Sequence, residues 1–238
     1  IVLGFKYEMT GSDEVLRNVS GKMETSYSNL LSADFIREEN GKAVYNNITD
    51  EEFENISIKL EELRDRKIYY VEIAGNLAQL YETYLSMRTK NPKAKFVITI
   101  DHTLLSKRLN EQDDLELMQN TGFLAIRLRK QGCMVVLIGQ LNGKIEEIVR
   151  RDNPMLHYPI KTDIHCANQV FWACDNVIIF HRPELLKIEK YGKDKKDTRK
   201  LIHVSIIKSR FGKVGNVWLQ ENFSKGQINE MPKVNVPS

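Results

Sequence analysis

An α/β fold with a mostly parallel sheet, flanked by helices and closed by an antiparallel hairpin, is the architecture this sequence predicts. Three observations carry that reading. Five short apolar, β-branched segments recur along 238 residues: IVLGFKY (1–7), KIYYVEI (67–73), FVITID (96–101), MVVLIGQ (134–140) and NVIIFHR (176–182). They are near-continuous apolar runs rather than alternating ones, the mark of strands buried on both faces between helices. Helical patterns separate them, and strand–helix–strand alternation implies crossover units of a doubly wound sheet.

The helices follow from caps and stripes. SDEVLRNVSGKM opens on Ser12, a candidate N-cap followed by acidic residues that suit a helix N-terminus. TDEEFENISIKLEELRDR starts from Thr49 and puts Phe53, Ile56, Leu60 and Leu63 on one stripe, expected in the core. NLAQLYETYLSMRTK places Leu77, Leu80, Tyr84 and Met87 at helical spacing, again a core stripe. At the end, LIHVSIIKSR and FGKVGNVWLQEN read as two strands joined by a glycine-containing turn. No linker, repeat or low-complexity tract divides the chain, so one domain over 1–238 is expected. Ile1 already sits in a strand, so that domain is expected to be incomplete at its N-terminus.

Composition sets outer bounds. A hydrophobic content of 42% and a charged content of 28% are those of a soluble globular protein. The longest apolar runs are too short to span a bilayer, and no secretory signal opens the chain, so a cytoplasmic location without membrane contact is expected. Cys133, Cys166 and Cys174 contain no CxxC pair and fit a reducing compartment. The net charge of +3 does not by itself argue for nucleic acid. The basic run KYGKDKKDTRK reads most simply as a solvated loop. His157, His165, Cys166 and Cys174 match no zinc-knuckle spacing. Trp172 can stack on a base or pack in the core.

Chemistry is sought at the carboxyl ends of the strands, where open α/β sheets bind ligands. Glu8, Asp101, Gln140, His181 with Arg182, and Lys208 with Arg210 follow successive strands. Two carboxylates, a glutamine and cations suit phosphoryl transfer. One carboxylate can hold Mg²⁺ through its water shell, and a second can polarise an attacking water. The glutamine can sense a γ-phosphate, and a cation can neutralise charge on the transferred group. Lys208 and Arg210 alternate along a strand and share a face; an exposed edge blunted by charge explains them equally well.

In order, these residues resemble the RecA-like ATPase core of the DnaB-type replicative helicases. FKYEM at 5–9 looks like the strand-ending motif whose glutamate is the catalytic base, which puts that role on Glu8. Arg17 falls where the family has a nucleotide-site arginine. FVITIDH resembles the second-carboxylate motif and assigns Mg²⁺ to Asp101. VVLIGQLNGKIEE is similar to the segment of the phosphate-sensing glutamine, here Gln140. Residues 159–184 look like the DNA-binding loop, its short helix and the next strand. IIKSRFGKVGNV resembles the segment whose cations, here Lys208 and Arg210, reach a neighbouring subunit's nucleotide. The match runs from about Ile1 to Trp218.

The resemblance implies ATP and Mg²⁺ as cofactors, a homo-oligomeric ring, typically a hexamer, and single-stranded DNA as partner. Two features depart from the family. The Gly-x-x-x-x-Gly-Lys-Ser/Thr phosphate loop is not in this sequence. The family's Arg–Glu–Ser–Gly run is replaced by His165, Cys166, Ala167 and Asn168. DNA contact through the backbone of that run is compatible with such changes. Arg150 and Arg151 are then candidates for compensating phosphate contacts. A recombinase-like or circadian-clock-like RecA-fold ATPase, and a degenerate module that binds DNA or assembles without hydrolysis, are the competing readings.

Overall fold

Four of the five apolar segments pair with one another, as expected. In the computed structural model, which describes residues 1–23, 34–46, 49–109 and 111–231, the first strands in chain order are β1 (Val2–Lys6), β2 (Asp34–Glu39), β3 (Lys42–Asn46), β4 (Ile68–Val71), β5 (Val97–Asp101) and β6 (Met134–Leu137). Then come β7 (Asn176–His181), β8 (Lys190–Tyr191), β9 (Lys196–Asp197), β10 (Leu201–Ser209), β11 (Gly215–Asn222) and β12 (Gln227–Glu230). The described helices are α1 (Gly11–Met23), α2 (Asp50–Arg64), α3 (Leu77–Lys90), α4 (Asp114–Lys130), α5 (Ile148–Asp152) and α6 (Ala167–Val170). Contacts divide the chain into two compact units. One holds 1–8, 68–220 and 230–238; the other holds 9–67 and 221–229.

The first unit is built on a parallel sheet of order β4–β1–β5–β6. Its core joins Leu3 and Phe5 of β1 and Ile98 and Ile100 of β5 to Leu80 and Tyr84 of α3 and Leu124 and Leu128 of α4. The Leu77–Met87 stripe is thus core, as its spacing predicts. Tyr84 meets Phe96 edge-on at 5.4 Å. Side chains of this size contribute about 1.5–3 kcal/mol each when fully buried. Asn76 starts α3 with a full capping box to Gln79, and Asp113 caps α4 by accepting from the Glu116 N–H at 2.8 Å.

The fifth apolar segment departs from expectation. β7 pairs antiparallel with β10 and does not join the parallel sheet. A parallel return needs a long crossover, usually a helix. Between β7 and β10 the chain offers only a 3₁₀ turn at Pro183–Leu186 and the two-residue strands β8 and β9. Nor is β7 covered on both faces: Ile179 and His181 are buried, while Ile178 and Phe180 are exposed. The expected C-terminal hairpin is present, with β10 and β11 antiparallel across a turn at 210–214. The basic run 190–200 forms the β8–β9 ribbon, where Asp197 lies between Arg199 and Lys190 at the surface. Hydrogen bonds from Arg199 pull the Asp197 carboxyl down to about 2.

The second unit corrects two readings and adds one element. Thr10, not Ser12, caps α1: its hydroxyl accepts from the Asp13 N–H at 3.1 Å, and the Asp13 carboxylate accepts from the Thr10 N–H at 3.2 Å. Ser12 lies inside the first turn. Thr49 caps α2 as expected, with a reciprocal bond to Glu52. The stripe on α2, however, is not core, since Phe53 and Leu60 are exposed. The β2–β3 hairpin has no counterpart in the sequence expectations. It turns at Asn40–Gly41, both at positive φ (53° and 72°), the pairing that two-residue hairpin turns demand.

Candidate functional site

Parallel register brings the expected carboxylates to one edge of the sheet. β1 lies between β4 and β5, and Lys6 and Asp101 are register partners at the strand ends. Asp101 is partly buried at the end of β5, and Glu8 is exposed in the bend that follows β1. Gln140 is exposed just after β6, the next strand over. Chain direction therefore puts Glu8, Asp101 and Gln140 at the carboxyl ends of three neighbouring strands. The Lys6 ammonium donates to Asp101 Oδ2 at 3.2 Å, with both side chains largely shielded from water. Beside Glu8, burial pushes the Tyr7 phenol up.

As donor chemistry, the site fits a magnesium–nucleotide complex rather than a dedicated metal cage. No cluster of three His, Cys, Asp or Glu ligands exists among the described residues. Mg²⁺ commonly takes one or two carboxylates and completes its shell with phosphate and water. Asp101, at the end of β5, could supply one such carboxylate. Arg17 lies exposed on α1 in the other unit.

After β6 the chain runs directly into the candidate DNA segment. Gln140 O accepts from the His165 N–H at 3.1 Å, Leu141 bridges Ile164, and Asn142 donates from its backbone to Asp163 O at 2.6 Å. Residues 140–142 and 163–165 are thereby zipped together. The segment between them is closed by Arg150. Its guanidinium donates to Leu156 O at 3.0 Å, to Tyr158 O at 2.9 Å, and to the buried Asp163 carboxylate. Each of the three Arg150 side-chain nitrogens thus donates inside the protein. Arg151 is half-buried, and its carbonyl faces His157 Nε2 at 2.8 Å.

The residues that replace the family's run are held differently. His165 Nε2 lies 3.2 Å from Asp114 Oδ2, at the first turn of α4. Hydrogen bonds from Arg108, then His165, hold the Asp114 carboxyl below its usual range. Cys166 adopts a positive φ of 52°. Burial and the nearby Asp114 and Asp113 push its thiol up, so it is an unreactive thiol. Asn168 is exposed on α6. Trp172 is 42% exposed and packs edge-on against Phe123 at 5.3 Å, so it is less buried than a core residue. Cys174 is half-buried, and burial raises its thiol too.

Lys208 and Arg210 do share a side, and both turn onto residues 171–175 of their own chain. Lys208 Nζ donates to Phe171 O at 2.6 Å and lies 4.8 Å from that ring's centroid. Arg210 Nη1 pairs with Asp175 Oδ1 at 2.6 Å in an exposed bridge, the kind worth little in water.

Sequence reasoning missed three features. Lys6 carried a signal: a charge inside a buried strand, two residues before Glu8. Asp163 carried none, because its partner is thirteen positions away on another element. The third is a buried His–Tyr cluster that ties the 150–158 segment to the hairpin. The Tyr191 hydroxyl donates to His157 O at 3.1 Å, while His181 Nδ1 and His203 Nδ1 lie 2.8 and 2.9 Å from it. His203 Nε2 lies 2.7 Å from Asn216 Oδ1, which only accepts, so neutral His203 carries its proton there and its Nδ1 accepts; the single hydroxyl proton then leaves His181 Nδ1 to donate to the phenol oxygen. That tautomer leaves His181 Nε2 as a bare lone pair, without a partner among the described residues. Burial, then the neighbouring His203, pushes His181 down to about 4. Gly192 stands at φ 68°, and a Cβ there would sit 2.6 Å from the Tyr158 ring.

The family described as DnaB-like helicase C terminal domain matches residues 2–229. Among solved structures the chain is similar to one titled as an ATPase domain, with a TM-score of 0.76 and 16% identity, over 98% of this chain and 75% of that one. It is also similar to a structure titled as a DnaB-like replicative helicase and its interactions with primase. There the TM-score is 0.73 at 17% identity, over 98% of this chain and 51% of that one, so the chain spans about half its length. Likeness at such identities shows the fold alone, a RecA-like α/β architecture. No match is found among curated protein sequences. No helix among the described residues is long and apolar enough to cross a membrane.

Proposed function

Because the chain belongs to the DnaB-like helicase C-terminal domain family, we propose that it is the ATP-hydrolysing core of a hexameric ring that translocates on single-stranded DNA and unwinds duplex during replication. One observation carries the reading. Glu8, Asp101 and Gln140 stand at the carboxyl ends of adjacent strands β1, β5 and β6. Glu8, exposed beyond β1, takes a proton from the attacking water as general base. Asp101 would hold Mg²⁺, whose chemistry there would be to neutralise charge on the phosphates. Gln140 senses the γ-phosphate. Arg210 crosses to the neighbouring subunit's nucleotide, and its exposed pairing with Asp175 is weak enough to be exchanged. Lys208, fixed on Phe171 O, holds the strand end from which Arg210 is presented.

DNA is gripped by its phosphates through Arg151, Asn168 and the backbone at Cys166, so affinity falls with salt. Arg150 shapes that segment from inside. The backbone bond between Gln140 and His165 puts the phosphate sensor and the DNA segment on one zipper. The experiment is ATP turnover of the full-length protein with and without single-stranded DNA. Glu8→Gln should remove DNA-stimulated turnover by at least about a hundredfold and leave nucleotide binding intact. Turnover that survives the change would overturn the assignment. A degenerate module that binds DNA without hydrolysis is favoured by the altered run at 165–168; wild-type DNA binding without any turnover would establish it.

A further inference from the structure

The buried charge at the end of β1 stands apart from the residues assigned so far. Lys6 is a register partner of Asp101, and both side chains leave the sheet at its carboxyl edge. Its ammonium lies 3.2 Å from Asp101 Oδ2, with 11% and 19% of the two side chains exposed. This is not a surface pair that water screens away. A lysine on a buried strand is costly unless a carboxylate pairs with it, and here that carboxylate is the one the nucleotide-site reading gives to Mg²⁺.

We infer that Lys6 is a positioning residue of the nucleotide site, whose ammonium competes with a divalent cation for the Asp101 carboxylate and so ties metal binding to the arrival of phosphates. The inference rests on the nucleotide-site reading. A monovalent ammonium and a divalent cation on one carboxylate repel each other strongly in a partly desolvated site. Mg²⁺ also gives up water reluctantly and gains little from one carboxylate already paired with lysine. Phosphate oxygens change that balance. They supply the missing negative charge for the metal, and they offer the ammonium a second acceptor within reach of its flexible four-carbon stem. Lys6 thereby disfavours bare metal at Asp101 and favours a metal that enters with its nucleotide.

The test is Mn²⁺ binding to the full-length protein, read by the electron paramagnetic resonance of free Mn²⁺, with and without ADP. Lys6→Met keeps the length of the stem and removes the charge. It should tighten Mn²⁺ binding in the absence of nucleotide on the order of tenfold, and Lys6→Arg should behave as wild type. The gain should vanish in Lys6→Met/Asp101→Asn. Should Lys6→Met fail to fold by circular dichroism, Lys6→Gln takes its place. Folded Lys6→Met that binds Mn²⁺ no tighter than wild type, or a gain that persists without Asp101, overturns the role of Lys6 alone. If wild type binds no Mn²⁺ even with ADP, both the role of Lys6 and the nucleotide-site reading fall.

Discussion

Replacing Arg150 by methionine separates a residue that shapes the candidate DNA segment from one that touches DNA. The guanidinium serves three acceptors across thirteen residues: Leu156 O at 3.0 Å, Tyr158 O at 2.9 Å and the Asp163 carboxylate. Asp163 is 1% exposed, and its other oxygen accepts from the Ile160 N–H at 2.7 Å. Removing one partner of a buried pair strands the other charge, a loss of about 3–5 kcal/mol. Arg150→Met should therefore lower stability by about that amount in urea denaturation. Arg150→Met/Asp163→Leu should recover roughly half, because the buried charge goes with its partner. In DNA-binding titrations where both proteins are folded, the slope of log affinity against log salt should stay as in wild type. A phosphate contact would instead reduce that slope by about 1. A stability change within about 0.5 kcal/mol, together with a reduced slope, would refute the assignment and return Arg150 to the DNA.

Other perturbations probe the rest of the molecule. His181 titrates near 4 when folded and about 6.5 when unfolded. Its contribution is therefore full above pH 6.5 and is lost as pH falls towards 4, when the unfolded state takes the proton first. The cost is roughly 3 kcal/mol, and the lowered His203 adds to it in the same direction. His181→Gln should flatten the fall between pH 6.5 and 4 by about one proton; an unchanged pH slope would count against a neutral buried imidazole. Tyr84→Ala removes a side chain that is 1% exposed and packed on Phe96. It should cost about 3–5 kcal/mol in denaturant unfolding, and a loss below about 1 kcal/mol would mean that α3 does not carry the core.

The parts of this fold that were legible in the sequence depend on local periodicity. The apolar segments of β1, β4, β5 and β6, the stripe on α3 and the turn between β10 and β11 all lie where spacing puts them. Periodicity fails where partners decide. The apolar pattern of β7 looks like that of β5, yet the connection from β7 to β10 lacks a crossover helix and the two strands pair antiparallel. Phe53 and Leu60 obey helical spacing and are still exposed. Ser12 looks like a cap, but Thr10 is the residue with a carboxylate three positions on. At the site, the order Glu8–Asp101–Gln140 was legible because strand ends follow chain direction. The bonds that use up Arg150 were not, since Asp163 and two carbonyls come from later elements. Lys6 was overlooked because its partner is 95 residues away.

The central claim is that hydrolysis needs Glu8 from one chain and Arg210 from its neighbour, and subunit mixing tests it most directly. Glu8→Gln and Arg210→Ala rings should each be inactive in DNA-stimulated ATP turnover. After the two are dissociated and reassembled together, some interfaces pair the intact Glu8 of one variant with the intact Arg210 of the other. The account predicts that turnover then reappears. Mixed rings, verified by mass, that stay as inactive as either variant alone would contradict it.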